Sequence, residues 1–294
     1  MKVVVITGAS TGIGRASALA LDRNGFRVFA GIRKQADGEA LRVAASERLT
    51  PVFLDVTAER SIGAAARLVA DAVGRAGEAG LAGLVNNAGT TLPGPVEYLA
   101  LDAFRHQLEV NLVGPLAVTK AFLPLLVRGG GRIVNVTSGA GKAGVPLMAP
   151  YVAAKHGLEG LSDVLRLELG QLGVGVSVIE PGFVATDMRG KLERDTDDVI
   201  RSLPEEGRSR YARQLAATAE AISTHAAQGS TPDVIADVVV HALTSKKPRT
   251  RYPAGAGAKR MLLLRRVLSD RQFDRIIRRM SGLPNAPTRG GHRP

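Results

Sequence analysis

A glycine-rich turn near the start of the chain restricts its fold more than any other feature. Gly8, Gly12 and Gly14 follow the apolar, β-branched run 3–7 and precede an Ala/Leu-rich helical stretch at 15–24. Glycines let the backbone approach a pyrophosphate closely, and the N-terminus of the next helix offers N–H groups and a favourable dipole to an anion. A tight strand-to-helix turn without a ligand has the same pattern. The turn therefore predicts a βα unit and suggests a dinucleotide-phosphate site.

Apolar runs and helical stretches alternate after this turn. Further strands are predicted at 27–32, 51–55, 83–89, 132–136, 175–180 and, as a short last one, 250–254. Helices are predicted between them at 37–48, at a stretch ending near 74, at 101–111, 115–127, 150–172 and 232–243. This order is typical of an α/β fold with a doubly wound parallel sheet of about seven strands, flanked by helices and joined by right-handed crossovers.

A hydroxyl, a phenol and an ammonium lie at spacings that suit proton transfer. Ser138 ends a buried run, which brings its hydroxyl to the carboxyl edge of the sheet, where ligands bind in open α/β folds. Tyr151 and Lys155 are four residues apart in a helix for which Pro150 is the predicted first residue. Because residues four apart share a helix face, we expect the ammonium near the phenol oxygen.

A phenol that acts as a base at neutral pH needs a lowered pKa. A free tyrosine titrates near pH ~10, so its pKa must fall by roughly 3 units, or about 4 kcal/mol. A cation within ~4–6 Å supplies ~1–3 units, and the helix dipole helps in the first turn. We therefore expect Lys155 to lower the pKa of Tyr151. Many exposed helices carry such a pair, so other motifs have to support this site.

The charge of the chain is concentrated at its C-terminal end. The formal net charge is +12, and residues 246–294 account for all of it, since they hold 14 Lys and Arg against Asp270 and Asp274. The rest of the chain is neutral, so no basic patch is expected on the core. The absence of cysteine suits a reducing compartment. With no targeting segment or apolar span in view, we expect a soluble, unprocessed cytoplasmic protein, with peripheral membrane contact as an option.

The predicted organisation has three parts. A catalytic domain covers 1–255 and includes a charged, strand-free lid at about 186–230, which is long for a connection in a compact α/β domain. A basic amphipathic extension covers 256–282, with one helix or two that are separated near Ser269 and Asp270. Its apolar face has two interpretations, contact with anionic lipid or packing on the core or on a partner subunit. Residues 283–294 are expected to be a disordered tail.

Over roughly residues 1–245 the motifs together resemble the classical short-chain dehydrogenase/reductase family. The shared motifs, in chain order, are residues 7–14, Asp55, residues 86–89, Asn111, Ser138, Tyr151 with Lys155, and Pro181-Gly182. The resemblance implies a single Rossmann-type domain in which Tyr151 is the acid/base, Lys155 lowers its pKa and binds the nicotinamide ribose, and Ser138 holds the substrate oxygen. Asn111 is similar to the family's fourth catalytic residue, which bends its helix and holds a water in the proton path.

The resemblance also implies a dinucleotide site, with hydride transfer done by the nicotinamide. Asp55 is expected to face the adenine amino group, residues 87–89 the adenosine ribose, and the segment after Pro181 the carboxamide. Asn86 is expected only to brace the sheet. No metal ligand is expected. The expected cofactor-binding residues are Gly8, Ser10, Thr11, Gly12, Ile13, Gly14, Arg33, Lys34, Asp55, Val56, Asn87, Ala88, Gly89, Tyr151, Lys155, Pro181, Gly182, Val184 and Thr186.

Cofactor choice depends on the end of the second strand. Relatives that use NAD usually carry an acid at the position of Ile32, which accepts the ribose hydroxyls and repels a 2′-phosphate. Here Arg33 and Lys34 follow instead and suit that phosphate. Thr11 departs from the clearest NADP pattern, in which a Lys or Arg is common. We expect NADP(H) to be preferred, with NAD possible.

The substrate is expected to be apolar, because Val96, Phe183, Val184 and residues 145–148 are candidates for its site. The segment 251–259 and the Leu-rich basic extension that follows it resemble the retinol dehydrogenase and 17β-hydroxysteroid dehydrogenase branch. This resemblance favours a steroid, a retinoid or a long-chain alcohol as the substrate. Family resemblance suggests a homodimer or homotetramer.

Other functions remain as alternatives. A dinucleotide-binding regulator or scaffold would not require Ser138, Tyr151 and Lys155 together. Nucleic-acid binding through the basic extension is not expected, because Phe273 is its single aromatic side chain for base stacking. An enoyl reductase usually spaces its Tyr and Lys more widely, and a sugar epimerase usually has a longer substrate domain.

Overall fold

The computed structural model describes residues 1–283 and contains the expected doubly wound sheet. Seven parallel strands pair in the order β3-β2-β1-β4-β5-β6-β7. The strands are β1 Val3–Ile6, β2 Arg27–Ile32, β3 Leu49–Phe53, β4 Gly83–Asn86, β5 Arg132–Val136, β6 Gly175–Pro181 and β7 Arg251–Ala254. The order reverses between β1 and β4, and in such sheets ligands bind at the carboxyl ends beside that reversal.

Helices cover both faces of the sheet. Their bounds are α1 Gly12–Arg23, α2 Gln35–Ala44, α3 Glu59–Arg75, α4 Leu101–Leu108, α5 Gly114–Gly129, α6 Ala149–Gly170, α7 Met188–Ser202, α8 Glu205–Ala227, α9 Pro232–Thr244, α10 Ala258–Val267 and α11 Asp270–Met280. Val69, Phe122 and Leu165 of α3, α5 and α6 pack on one face. Leu21 of α1 and Val239 of α9 pack on the other. Strands buried on both faces explain the continuous apolar runs in the sequence.

Two predicted boundaries are wrong near the edge of the sheet. Helix α2 ends at Ala44 rather than at residue 48, because Asp22 accepts hydrogen bonds from the backbone N and the Oγ of Ser46 and fixes a turn there. Strand β3 consequently begins at Leu49, two residues earlier than expected. Pro51 lies within β3, which is tolerated because β3 is an edge strand.

The helices predicted at 101–111 and 115–127 form one continuous stretch. A π-helical segment, Glu109–Val113, joins α4 to α5. Among the described residues, this stretch is the one helix long and apolar enough to span a membrane by length and composition, whereas the sequence suggested none. Half of its apolar 18-residue part is buried, and Val118 and Phe122 are fully buried in the core. The stretch therefore serves as a core helix of this fold.

Both the lid region and the C-terminal extension are helical. The lid region consists of α7 and α8, which pack against each other. The extension consists of α10 and α11, and a capping box of Ser269 and Gln272 begins the second helix close to the predicted break. Phe273 and Ile277 are buried with Ala143 of the catalytic domain. The division at residue 255 stays a prediction, and the tail predicted for 283–294 lies, beyond residue 283, outside the described residues.

Candidate active site

The predicted proton-transfer groups meet at the carboxyl edge of the sheet. Ser138 follows β5, and its Oγ accepts a hydrogen bond from Ala140 N at 3.1 Å. The Ser138 side chain also hydrogen-bonds Tyr151, which lies half-buried in the first turn of α6. Lys155 is 4% exposed, and its Nζ donates to Val136 O at 2.9 Å. Because Ala149 is the first residue of α6, Pro150 occupies the second helical position rather than the first.

The electrostatics of Tyr151 differ from the sequence expectation. Burial raises the pKa of Tyr151, and the hydrogen bond with Ser138 opposes this rise. The Lys155 ammonium lies 5.8 Å from the centre of the Tyr151 ring, over the ring rather than at its hydroxyl, and it is turned toward the Val136 carbonyl. Burial also lowers the pKa of Lys155 to about 8, against the charge of Glu159. In the protein alone the phenol is thus held in its protonated form.

Asn111 lies in the π-helical segment and is completely buried. Its Oδ1 accepts from Thr90 N at 2.9 Å, and its Nδ2 donates to Thr90 O at 2.8 Å. These bonds hold the segment after β4 beside Lys155, since a Cβ added at Gly89 would lie 3.8 Å from Lys155 Nζ. Single-turn π-helices are frequent at functional sites. The water-holding role expected for Asn111 stays a prediction.

The glycine-rich turn has a geometry that side chains would disrupt. Gly8 and Gly12 have φ values of 65° and 53°, which favour glycine. A Cβ at Gly14 would lie 2.0 Å from Gly8 O and 2.4 Å from Asn87 Nδ2. The Asn87 side chain donates to Thr7 O and Gly8 O, both at 3.0 Å. It therefore braces the turn, and the position beside the ribose expected for residues 87–89 stays a prediction.

The start of α1 is open to an anion. Thr11 precedes the helix in extended backbone, and within the described part of the chain its side chain makes no capping hydrogen bond. The adjoining cleft has a volume of about 460 Å³ and includes Arg15 and Thr186. Ser10 and Gly12 line the same cleft, and Ile13 packs on the apolar core. Uncapped N–H groups and the helix dipole fit a pyrophosphate at this position.

The adenosine-side candidates cluster where β2 and β3 end. Asp55 Oδ1 accepts from the N and Oγ1 of Thr57 at 2.9 and 2.8 Å, and the backbone hydrogen bond is the main cause that lowers the pKa of Asp55. The positive charge of Arg33 also lowers the pKa of Asp55, so Arg33 lies near this carboxylate. Arg33 and Lys34 are both exposed, and Val56 is buried. Ile32, at the position of the missing acid, is 7% exposed.

The segment after β6 crosses the glycine-rich turn. A Cβ at Gly182 would lie 2.1 Å from Ala256 O, so the chain packs tightly after Pro181. Val184 pairs with Ser230, and a Cβ at Gly12 would lie 3.2 Å from Thr186 Cγ2. Thr186 therefore lies beside the turn, and Pro181, Gly182 and Val184, the other residues predicted on the carboxamide side, precede it directly in the chain.

An apolar pocket lies between the lid and the loop after Ser138. Its cavity is about 10 Å³, roughly the space of one water, and its walls are Pro93, Leu147, Met148, Leu192, Thr196, Leu215, Thr218, Ala219 and Ile222. Leu147 has a φ of 62°, the single positive value outside glycine among residues 1–283, and its carbonyl accepts from Gly94 N at 2.7 Å. Val96 is 74% exposed and lies outside this pocket, contrary to expectation, because its turn faces solvent.

The lid is fastened to the turn that follows β4. Arg210 binds both carboxylate oxygens of Glu97 at 2.6 and 2.8 Å, and Tyr211 donates to Glu97 at 2.7 Å. The rings of Tyr98 and Tyr211 meet edge to face with centroids 6.1 Å apart. These contacts hold α8 over the apolar pocket.

The sequence analysis missed two features of the site. Phe183 stacks on His225 of the lid, with ring centroids 4.8 Å apart. The buried side chains of Glu159 and Glu180 lie near one another behind Lys155. Glu159 could have been noticed, because it follows Lys155 by one helical turn. Asn86, as expected, braces the sheet through Nδ2 bonds to Thr119 and Asn135 at 3.1 and 2.9 Å.

Known proteins resemble this chain both in sequence and in structure. Residues 2–197 match the family model described as short chain dehydrogenase. Mouse retinol dehydrogenase 5 is 37% identical over 280 residues, which cover 93% of this chain and 87% of that protein. Bovine 17-beta-hydroxysteroid dehydrogenase type 6 is 39% identical over 266 residues, with coverages of 88% and 82%. A crystal structure of a short chain dehydrogenase from Burkholderia cenocepacia J2315 in complex with NADP matches with a TM-score of 0.69 and 26% identity, over 97% of this chain and 100% of that one.

Proposed function

Because the chain belongs to the short-chain dehydrogenase family, on the branch of the retinol and 17β-hydroxysteroid dehydrogenases, and is an oxidoreductase that interconverts an alcohol with a ketone or aldehyde, we propose that it uses NADP(H) on an apolar substrate. The residues proposed to act are Ser138, Tyr151 and Lys155. The observation that carries this proposal is the hydrogen bond between Ser138 and Tyr151 beside the buried Lys155 ammonium.

In this proposal the side chains supply proton transfer and orientation. The bound nicotinamide supplies or accepts the hydride. Ser138 and Tyr151 bind the substrate oxygen together, because their hydroxyl groups already share a hydrogen bond. On reduction, Tyr151 gives its proton to that oxygen, and on oxidation it takes the proton back. The raised pKa of Tyr151 keeps the phenol protonated at neutral pH, which suits the reducing direction. Lys155 provides positive charge that stabilises the phenolate once the proton has left.

The glycine-rich turn fits the dinucleotide. A Cβ at Gly8 or at Gly14 would collide with Ala88 or with the turn itself, so glycine allows the turn to close tightly, and the first turn of α1 offers its free N–H groups. Arg33 and Lys34 would hold a 2′-phosphate, because they are exposed at the end of β2 and the acid that repels such a phosphate is replaced by the buried Ile32.

The apolar substrate is proposed from the pocket under the lid. Leu147, Met148, Leu192 and Leu215 form its walls, together with Ile222. A steroid or retinoid does not fit a cavity of about 10 Å³, so α7 and α8 have to move when such a substrate enters. The polar contacts between Glu97 and the Arg210–Tyr211 pair are exposed and contribute little to holding the lid, so the main cost of this movement is the exposure of buried side chains such as Leu192 and Leu215.

The assay is the change in reduced-nicotinamide absorbance during turnover, with NADP and NAD tested against steroids, retinoids and fatty alcohols. We expect turnover with NADP(H), and a loss of about 10²- to 10⁴-fold in kcat in the Tyr151→Phe variant with NADPH binding retained. Equal activity of Tyr151→Phe would refute the mechanism. Tight NADPH binding without turnover of any substrate would favour a dinucleotide-binding regulator or scaffold.

We also propose a homodimer or homotetramer, a cytoplasmic location, and peripheral contact with anionic membranes through the extension. Phe273 and Ile277 pack on the catalytic domain, so lipid contact through them is ruled out in this conformation. Leu263 and Val267 remain 61% and 64% exposed on one side of α10. The exposed basic residues beside them are Lys259, Arg260 and Arg266. A small apolar stripe with basic neighbours suits the surface of an anionic bilayer.

A further inference from the structure

Helix α6 carries a row of charged side chains behind the catalytic tyrosine. Lys155, Glu159 and Asp163 follow one another at four-residue intervals, so they share one face of the helix. Lys155 and Glu159 are 4% and 2% exposed. A buried ammonium tends to lose its proton unless an opposite charge lies nearby. Glu159 is the charged neighbour whose field acts against the desolvation of Lys155.

Three elements hold the carboxylate of Glu159. Thr137, at the end of β5, donates from Oγ1 to Glu159 Oε1 at 2.7 Å. Lys142, in the loop after Ser138, approaches Glu159 Oε2 at 2.9 Å. Arg251 of β7 donates from Nε to the same oxygen at 3.1 Å. Two cations and a hydroxyl therefore surround the buried Glu159 carboxylate, and such partners stabilise a carboxylate by charge-assisted hydrogen bonds.

Glu180 is the other buried acid of this cluster. It is 2% exposed, and its Oε1 lies 3.9 Å from Arg251 Nε, beyond hydrogen-bond distance. Burial and the charge of Glu159 raise the pKa of Glu180 to about 7, against the charges of Lys142 and Arg251. Asp163 binds Arg251 with both oxygens at 2.8 Å but is 40% exposed. Glu159 is thus the fully buried acid of the cluster that two cations and a hydroxyl hold directly.

We propose that Glu159 is a positioning residue of the active site, whose buried carboxylate keeps the Lys155 ammonium charged beside Tyr151. This inference deepens the proposed function and rests on it for the role of Lys155. It also connects distant parts of the chain, because Arg251 and Lys142 orient Glu159 from β7 and from the loop that carries Ser138. A purely structural role for Glu159 would not require its charge to reach Lys155.

The test measures the protonation of Lys155 directly in the full-length protein. The Cε resonance of isotope-labelled lysine is followed by NMR as the pH rises, and the Lys155→Met variant identifies the signal. In wild type we expect a midpoint near 8, and in Glu159→Gln a midpoint lower by about one unit or more, because one opposite charge is removed. The matched control is Asp163→Asn, which also removes a carboxylate from Arg251 on the same helix but should leave the midpoint unchanged.

An unchanged midpoint in Glu159→Gln, or an equal shift in Asp163→Asn, would overturn the proposal. If Glu159→Gln fails to fold because Lys142 is left unpaired, the double variant Glu159→Gln with Lys142→Met removes both charges, and its midpoint should still be lower than in wild type but by less than in Glu159→Gln, because a like charge near Lys155 is also removed. The alkaline limb of kcat/KM should move to lower pH by the same amount. Absence of turnover in wild type would contradict the proposed function, whereas the NMR midpoints would still decide the role of Glu159.

Discussion

The buried carboxyl of Glu180 makes a quantitative prediction about stability and pH. Its pKa is about 7 in the folded chain, against an unperturbed value of 4.5. Between these values the folded state keeps the proton and the unfolded state has lost it. The contribution of Glu180 to the stability of the folded state is therefore complete below about pH 4.5 and is lost as the pH rises through about 7. At 1.36 kcal/mol per unit, the loss is about 3 kcal/mol.

The Glu180→Gln substitution isolates this effect, because the amide stays neutral at every pH and has nearly the same shape. The Glu180→Gln variant should therefore gain about 2.5 kcal/mol relative to wild type on going from pH 5 to pH 8, because part of the loss in wild type has already occurred at pH 5. For a chain of 294 residues, with ~2.1 cal/mol/K of unfolding entropy per residue, this corresponds to roughly 4 °C in Tm. Titrating groups outside the cluster around Glu180 affect both proteins equally, so the difference between the two proteins is the quantity to compare.

The assay is thermal unfolding by circular dichroism at pH 5 and pH 8 for wild type, Glu180→Gln and a control, Glu220→Gln, which changes an exposed glutamate of α8. The Tm of Glu180→Gln relative to wild type should rise between the two pH values, while that of the control should not. If the relative Tm of Glu180→Gln is constant or falls, Glu180 is ionised in the folded protein and the account of the carboxylate cluster is refuted.

Two further predictions concern binding. Arg33→Ala should weaken NADP binding about tenfold or more and leave NAD binding unchanged, because a charge-assisted contact to a phosphate contributes ~1.5–3 kcal/mol. Both affinities are measured by calorimetric titration, and Arg42→Ala, which changes an exposed arginine of α2, is the control. An equal loss of affinity for both cofactors would show that Arg33 does not bind the 2′-phosphate. Replacing Leu263 and Val267 with serine should reduce co-sedimentation of the protein with phosphatidylserine vesicles. The control is Val43→Ser, which changes a valine of α2 that is 90% exposed and should not reduce co-sedimentation. If the wild-type protein stays in the supernatant, the membrane proposal is contradicted.

The sheet and the meeting of Ser138, Tyr151 and Lys155 were predictable because they depend on local patterns. Buried strands read as apolar runs, and residues four apart on a helix share a face wherever that helix lies. The direction of the Tyr151 pKa shift was not predictable, since it depends on how deeply α6 is covered and on the turn of Lys155 toward Val136.

Features that depend on distant segments were also missed. Glu180 appeared only as the end of a strand, because nothing in the sequence shows that Arg251 and Glu159 lie beside it. The apolar face of α11 has the same periodicity whether it contacts lipid or protein, so burial of Phe273 and Ile277 required the structure.

The extension has a consequence for how the protein is made. Met261 of α10 packs so closely on Gly139 that a Cβ there would lie 2.0 Å from its Cε, and Arg265 donates to Lys142 O at 3.2 Å. Ser281 accepts a hydrogen bond from Thr218 of the lid at 3.4 Å. Ribosomes synthesise α10 and α11 after the loop of Ser138 and after the lid, so a nascent chain that has not yet reached residue 258 lacks the wall behind that loop. The catalytic loop and the lid gain this support only after both helices have been synthesised.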